Sequence, residues 1–331
     1  MLEYTKRILG VIAVPIPFKK QSIILAPMAG VTDSGFRKIC KKYGADITYS
    51  EMVSTKGIFY KDKKSYELLK YTDNETPISL QIFGNDPECF KVATEYINNN
   101  YSPMSIDINM GCPAPKIFNN GDGCALMKQP ETAFKIIKSV KDNTDIPVSI
   151  KFRAGVDENN LNAVEFAKVC QNAGADYLTV HGRTRSQFYS GKSDKSIIKS
   201  VVEAVTIPVI ANGDIIDYTT AKDTIDFTGA HSLMVGRASM GNPLVFNQIK
   251  SGFNLTKKIE ITPFEIFDIA LEHLSNVIND KGEFLAVKEF RKHILWYLKG
   301  VKNASKYKQI SCTVSTYSDC KQVFEQIKKE I

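Results

Sequence analysis

Histidine and tryptophan are scarce, with four histidines and one tryptophan in 331 residues. His181, His231, His273 and His293 are scattered, and no H-E-x-x-H occurs. The seven cysteines (Cys40, Cys89, Cys112, Cys124, Cys170, Cys312 and Cys320) are odd in number and include no C-x-x-C. Neither a disulfide framework nor a metal site is therefore indicated, and reduced thiols suit a cytoplasmic protein. No Ser/His/Asp order and no paired-carboxylate motif stands out. No apolar stretch is long enough to cross a bilayer. The nearest candidate, Ile8–Ile16 behind Lys6-Arg7, looks like the start of a signal peptide. Pro15 and Pro17 interrupt it, Lys19-Lys20 close it, and no cleavage site follows. It reads as an irregular lead-in, one that would plug the bottom of a barrel.

What is present is ordinary for a soluble globular chain: 43% hydrophobic and 24% charged residues, enough for one large domain and a smaller one. A net charge of +7 suits an anionic partner, and its placement matters more than its size.

From Ser22 to Val235 two textures alternate. Short β-rich runs occur at Ile23–Ala26, Asp46–Ser50, Ile78–Ile82, Ser105–Asn109, Val148–Phe152, Tyr177–Val180, Val209–Ala211 and Ser232–Val235. Stretches with helical spacing lie between most of them, such as Glu131–Lys141 and Leu161–Ala173. Gly44-Ala45-Asp46, Gly174-Ala175-Asp176 and Gly229-Ala230 each read as a helix stop followed at once by a strand. Eight strands with intervening helices predict a TIM-type (β/α)8 barrel. A doubly wound sheet is the alternative, but the turn PMAGVTDSG after the first strand is no dinucleotide fingerprint. After Gly252 the β texture stops. Pro263–Ile278, Glu283–Lys299 and Asp319–Lys329 read as helices. The predicted division is a barrel over 1–250 and an all-helical domain over 251–331.

Parallel barrels do chemistry where their strands end. The stretch SIDINMGCPAPK, Ser105–Lys116, ends a strand in a Gly/Pro-rich turn carrying Asn109 and Cys112. Asn109 offers an amide to orient a ligand, and Cys112 a thiol for attack or proton donation, although a cysteine near a turn is also a common apolar filler. Other strand ends supply Pro27, Met28 and Ala29; Gln81; Lys151 and Arg153; His181 and Arg183; Asn212, Gly213 and Asp214; Gly236 and Arg237. Glycine-containing turns after the last two strands are where barrels hold a phosphate. A lysine deep in the mouth needs an anionic partner or a lowered pKa. The set suggests a phosphorylated cofactor with a flat ring, faced by one cysteine.

These blocks resemble the tRNA-dihydrouridine synthase family, and most closely its bacterial B-type branch. The matching stretches are LAPMAGVTDSGFR, SLQIFG, DINMGCPAPK, IKFRAG, HGRTRSQFYSG, IPVIANGDI, LMVGRASMGNP and FRKHILWYLKG, in the family's order from about Ser22 to Gly300. The resemblance implies an FMN-binding barrel followed by a helical domain that grips tRNA. It implies that Pro27, Met28 and Ala29 lie along the flavin, that Gln81, Lys151 and His181 contact its ring, and that Asn212, Gly213, Asp214, Gly236 and Arg237 hold its phosphate. Cys112 is implied as the proton donor, and Asn109, Arg153 and Arg183 as substrate contacts. The implied reaction reduces the C5–C6 bond of a uridine in tRNA, with NADPH or NADH reducing FMN, hydride passing from flavin N5 to C6 and a proton from Cys112 to C5. Some positions depart from the family: Cys124 stands where a serine is usual, Lys195 for a tryptophan, His231 for an aspartate and Leu244 for an aromatic residue.

Ala286–Lys308 holds seven of the basic residues and one acid, Glu289. Lys288, Lys292 and Lys299 share one helical face, opposite Phe290, Ile294 and Tyr297. That face would contact tRNA phosphates. Two other readings remain open from the sequence: an FMN barrel acting on a small molecule, and a non-catalytic RNA-binding protein.

Overall fold

A computed structural model describes residues 17–302 and 304–330. The run Ile8–Ile16 and most of the Val11–Gln21 lead-in lie outside the described residues.

All nine strands run parallel in one sheet: β1 (Ile23–Leu25), β2 (Thr48–Tyr49), β3 (Val53–Ser54), β4 (Ile78–Phe83), β5 (Ser105–Met110), β6 (Val148–Arg153), β7 (Tyr177–His181), β8 (Val209–Asn212) and β9 (Ser232–Val235). The pairing order is β1-β9-β8-β7-β6-β5-β4-β2, with β3 also on β4. A bridge from Ile24 to Ile47, with the Leu25 N–H donating to the Ile47 carbonyl at 3.0 Å, closes the sheet into an eight-position barrel. The second position is split. β2 meets β4 at Ile78 and Ser79, and β3 meets it at Ile82 and Phe83. The single strand predicted over Asp46–Ser50 is thus shorter, and β3 carried no sequence signal of its own.

Strand side chains alternate between faces. Ile106, Ile108, Met110, Val148, Ile150, Phe152, Leu178 and Val180 point outward into the core beneath the helices. Lower in the barrel, Ile24, Tyr49, Tyr177, Ile210 and Met234 fill the interior, with Phe18 packed against them. Phe18 meets the Tyr177 ring edge-on at 5.1 Å and the His231 ring at 5.4 Å.

The helix-stop turns earn their aspartates. Asp46 Oδ2 accepts the Ile23 N–H at 2.8 Å, and Asp176 Oδ2 the Val148 N–H at 2.7 Å. Each carboxylate caps the edge of a neighbouring strand, and Lys250 and Lys141 pair with them at 2.5 Å. In the third such turn His231 replaces the acid and its ring meets Phe18 instead.

Four helices follow the barrel: Glu265–Lys281, Glu283–Tyr297, Ala304–Ser311 and Tyr317–Glu330. They share a core of their own that includes Phe267, Leu274, Phe290, Ile294 and Phe324. The helix Ala304–Ser311 buries only Tyr307 and Ser311, too few apolar positions to give a periodic signal. Trp296 is half-buried.

The helix Ser34–Lys42 packs on Glu265–Lys281. At Gly35 the backbones approach so closely that a Cβ would stand 2.5 Å from Val277 Cγ2 and 2.9 Å from its nitrogen. Lys38 pairs with Asp280 at 2.9 Å, Lys42 with Glu272 at 2.5 Å, and Asp33 with Lys281 at 3.0 Å. Burial alone would raise the Asp33 carboxyl; Lys281, the two nearby histidines and the Phe36 N–H hold it down, to about 2. Gly35→Val is expected to destabilise the protein by about 1–3 kcal/mol, because backbone atoms must move. Urea denaturation measures this, and an unchanged midpoint would mean that the two helices are not in backbone contact.

Candidate active site at the barrel mouth

The period of two along each strand carries the polar side chains inward and upward. Beneath the mouth, Tyr177 Oη lies 2.6 Å from Ser105 Oγ, which bonds Ser79 Oγ at 2.8 Å. One layer higher, Asp107 is fully buried and accepts from Ser149 Oγ at 2.6 Å and from Gln81 Nε2 at 2.7 Å. The mouth itself carries Asn109, Lys151, Arg153, His181 and Asn212, which the parallel register places side by side: Asn109 opposite Lys151, Arg153 opposite His181, His181 opposite Asn212.

The turn after β5 is held from both sides. Asn109 Oδ1 accepts the N–H groups of Gly111 at 3.1 Å and Cys112 at 2.9 Å. Arg153 Nε donates to the Gly111 carbonyl at 2.8 Å, and the Cys112 carbonyl accepts the Cys124 N–H at 3.2 Å. Cys112 is half-buried. Burial raises its thiol pKa more than the Ala114 N–H, Arg153 and Lys151 lower it, so the thiol is protonated at neutral pH. Cys124, by contrast, is fully enclosed and pushed up to about 12 by burial.

The rim is cationic. Lys151 Nζ donates to Asn212 Oδ1 at 3.0 Å, and Asn212 Nδ2 donates to the Met234 carbonyl at 2.8 Å. Burial, then Arg153, bring Lys151 down to about 8, which leaves it charged at neutral pH. Burial, then Lys151, Arg153, Arg183 and Arg237, hold His181 neutral.

Two arginines proposed as substrate contacts are largely committed to the protein. Arg153 Nη1 donates to the Thr184 and Phe188 carbonyls at 2.9 Å. Arg183 bonds the Ser190 and Gly191 carbonyls at 3.0 and 2.7 Å and Asp214 at 2.8 Å. They tie the loop after β7 over the mouth. Tyr189 on that loop, half-exposed, lies 4.8 Å from the Arg237 guanidinium and 5.8 Å from that of Arg153.

The turn after β8 forms a cradle. Gly213 has φ +125°, and a Cβ there would fall 2.2 Å from Ser193 Oγ and 2.9 Å from His181 Cδ2. Ser193 Oγ and Arg183 Nη1 are buried with no partner among the described residues. The Asp214 carboxylate accepts from Arg183 Nη2 and the Ser193 N–H, both at 2.8 Å, and from Arg237 Nη2 at 3.1 Å. Burial would raise its pKa; those bonds outweigh burial and lower it. Asp214 therefore braces the two arginines with its side chain. At the next strand round the barrel, a Cβ on Gly236 would stand 3.7 Å from the Met28 sulfur, so the ends of β1 and β9 meet. Pro27 and Met28 are half-buried there, Ala29 is exposed and Gln81 lies deep, 1% exposed.

Lys292 reaches the rim. Its Nζ would stand 3.8 Å from a Cβ on Gly30, just past β1. Lys288 and Lys292 line a groove with Leu285, Glu289, Arg291 and Leu295. Arg291 is bound to the Val314 carbonyl at 2.7 Å and Lys306 to Glu330 at 3.1 Å. Lys288, Lys292 and Lys299 make no ion pair with any described residue.

The family model for dihydrouridine synthase matches residues 24–331. The chain belongs to the dihydrouridine synthase family. Among curated proteins it is 40% identical over 291 residues to tRNA-dihydrouridine synthase B of Vibrio vulnificus, covering 88% of this chain and 90% of that protein. It is 38% identical over 303 residues to tRNA-dihydrouridine synthase B of Pseudomonas aeruginosa, covering 91% of each. A probable tRNA-dihydrouridine synthase of Rickettsia prowazekii is 38% identical over 309 residues, covering 92% and 93%. These likenesses put this family member on the B-type branch. A solved 2-naphthoyl-CoA reductase shares the barrel alone, with TM-score 0.53 and 11% identity over 70% of this chain and 50% of that one. Among the described residues no group of histidine, cysteine or acidic side chains could hold a metal, and no helix is long and apolar enough to cross a membrane.

For this family member the sequence reading missed Asp107, together with Ser149, Ser193 and Tyr189. Asp107 had a signal, since it shares the inward face with Asn109 two residues on. Ser193 had none; only the fold brings it to Gly213. Burial raises the Asp107 pKa to about 6, above its unfolded value. Its ionisation therefore opposes folding, by an amount that grows as pH rises from about 4 through 6. Asp107→Asn is expected to raise the melting temperature at about pH 8 and to lose that advantage at about pH 4.5. Thermal denaturation at the two pH values checks it, and a gain independent of pH would show that Asp107 does not titrate this way.

Proposed function

We propose that this enzyme reduces the C5–C6 bond of uridines in tRNA to 5,6-dihydrouridine, with Cys112 as the acid. The observation that carries this reading is a protonated thiol fixed at the mouth of a family barrel, beside a cationic rim. The substrate is cytoplasmic and so, on this reading, is the enzyme.

The residues present fit FMN. Ser193 Oγ and Arg183 Nη1 are buried without partners beside the Gly213 turn, and a phosphate satisfies such donors. Gly213, the Asp214 backbone, Gly236 and Arg237 would hold that phosphate, with Asn212 fixing the end of β8. Pro27, Met28 and Ala29 would flank the flavin, and Gln81, Lys151 and His181 would meet its ring. Once reduced by NADPH or NADH, the bound flavin supplies from N5 the hydride for uracil C6.

The chain's own part is placement and proton supply. Cys112 holds the proton that C5 receives, and the thiol regains one from solvent. Lys151 would supply positive charge to the ring. Neutral His181 packs on Gly213 without adding charge. Arg153 and Arg183 hold the loop after β7, with the second Nδ2 proton of Asn109 and the free edge of Arg153 available to the uracil. Residues 251–331 form the tRNA-binding domain, through Lys288, Lys292 and Lys299.

Cys112→Ala is expected to keep FMN and tRNA binding while slowing uridine reduction by about a hundredfold or more. Mass spectrometric counting of dihydrouridine reads this, and conversion at the wild-type rate would mean another group is the acid. Lys288→Glu with Lys292→Glu is expected to weaken tRNA binding and to lower its salt dependence by about two ion equivalents. NADPH-driven flavin reduction stays unchanged in that variant; unaltered tRNA affinity at low salt would remove the face from the binding surface.

A further inference from the structure

The donors and acceptors beneath Cys112 form one directed chain. Asp107 accepts from Gln81 Nε2 at 2.7 Å, Gln81 Oε1 accepts from Asn109 Nδ2 at 2.9 Å, and Asn109 Oδ1 accepts the Cys112 N–H at 2.9 Å. Both ends fix the direction. An ionised carboxylate only accepts, and a backbone N–H only donates. Each amide between them has one donating and one accepting end. Of the four ways to orient the two amides, one satisfies every link.

We propose that Asp107 is a positioning residue for Cys112, setting the orientation of Gln81 and, through it, of Asn109 and the cysteine turn. The role in catalysis rests on the reading of Cys112 as the acid; the chain of bonds does not. A fully buried carboxylate is a poor core residue. The barrel interior lower down is filled by Ile24, Tyr49, Ile210 and Met234. The two ordered amides above it account for an acid at this level. Ser149 Oγ, at 2.6 Å, satisfies the other oxygen without reaching the mouth.

Reversing the chain tests it. Asn109→Asp puts an acceptor-only group against Gln81 Oε1. Asp107 holds Gln81 Nε2 down, so the new carboxylate faces Gln81 Oε1, is repelled by it, and carries the cysteine turn bonded to residue 109 out of place. Asp107→Asn alone keeps the original direction, because asparagine can give its carbonyl to Gln81 and its amide to the Ser149 hydroxyl. Combined with Asn109→Asp, the same asparagine turns over and donates to Gln81 Oε1, so every link is restored in reverse.

The measurement is the hydrogen-exchange rate of the Gly111 and Cys112 amides, the two N–H groups held by Asn109, in the FMN-loaded full-length protein. Asn109→Asp is expected to speed it by about fivefold or more. Asp107→Asn, and the double variant, are expected within about twofold of wild type. An unchanged rate in Asn109→Asp, or a double variant as fast as that single one, overturns the proposal. Should Asn109→Asp fail to fold, soluble double variant with the wild-type rate is the expected rescue, and continued misfolding overturns it. Rescue alongside an active Cys112→Ala would keep the chain of bonds and reject the acid; failed rescue with an inactive Cys112→Ala would do the reverse.

Discussion

Closure of a short-stranded parallel sheet is the constraint on which the site depends. Once Ile24 meets Ile47, every strand has one face toward the helices and one toward the axis. Outward positions are apolar almost without exception. Inward positions change character with height, from Tyr49, Ile210 and Met234 below to Lys151, His181 and Asn212 at the mouth. The barrel thus has a packed floor and a polar ceiling, and the chemistry sits on a rigid base.

Charge at the mouth is lopsided. Lys151, Arg153, Arg183 and Arg237 crowd one opening, against Asp107, Asp214 and Glu51, whose carboxylate accepts the Gly30 N–H. Burial first, and then this crowding, opposes further charge: Lys151 is pulled down to about 8 and His181 is kept neutral. An anionic ligand relieves it, which is the physical content of the flavin phosphate reading. The same field favours a thiolate, yet burial outweighs it at Cys112 and leaves the proton available.

The C-terminal helical region is joined to the barrel at the turn after β1. Asp33 caps the helix Ser34–Lys42 and also bonds Lys281, so one carboxylate serves local and long-range structure. Arg37 on that helix is sealed against Glu75, with a 2.6 Å bond and both side chains buried. Those contacts fix where the helix Glu283–Tyr297 lies, and hence bring Lys292 to the rim beside Gly30.

The sequence by itself determined the family and most of the elements, though not β3 or the helix Ala304–Ser311. Strand runs, helix-stop glycines and the blocks around Cys112, Lys151 and Asn212 are local patterns, legible because side-chain period and turn chemistry act over a few residues. It also marked Lys288 and Lys292 as one face of a helix, but the structure ends that helix at Tyr297, so Lys299, expected on the same face, lies in the turn that Gly300 follows. Only the tertiary structure decided how these groups are used. Arg183 and Asp214 bind each other from different strands, Ser193 arrives under Gly213 from a neighbouring loop, and Asn109 holds the cysteine turn while bonded to Gln81 from β4. Each of those roles depends on barrel register and on which lone pairs and protons are already taken. Neither is visible until strands distant in the chain lie side by side.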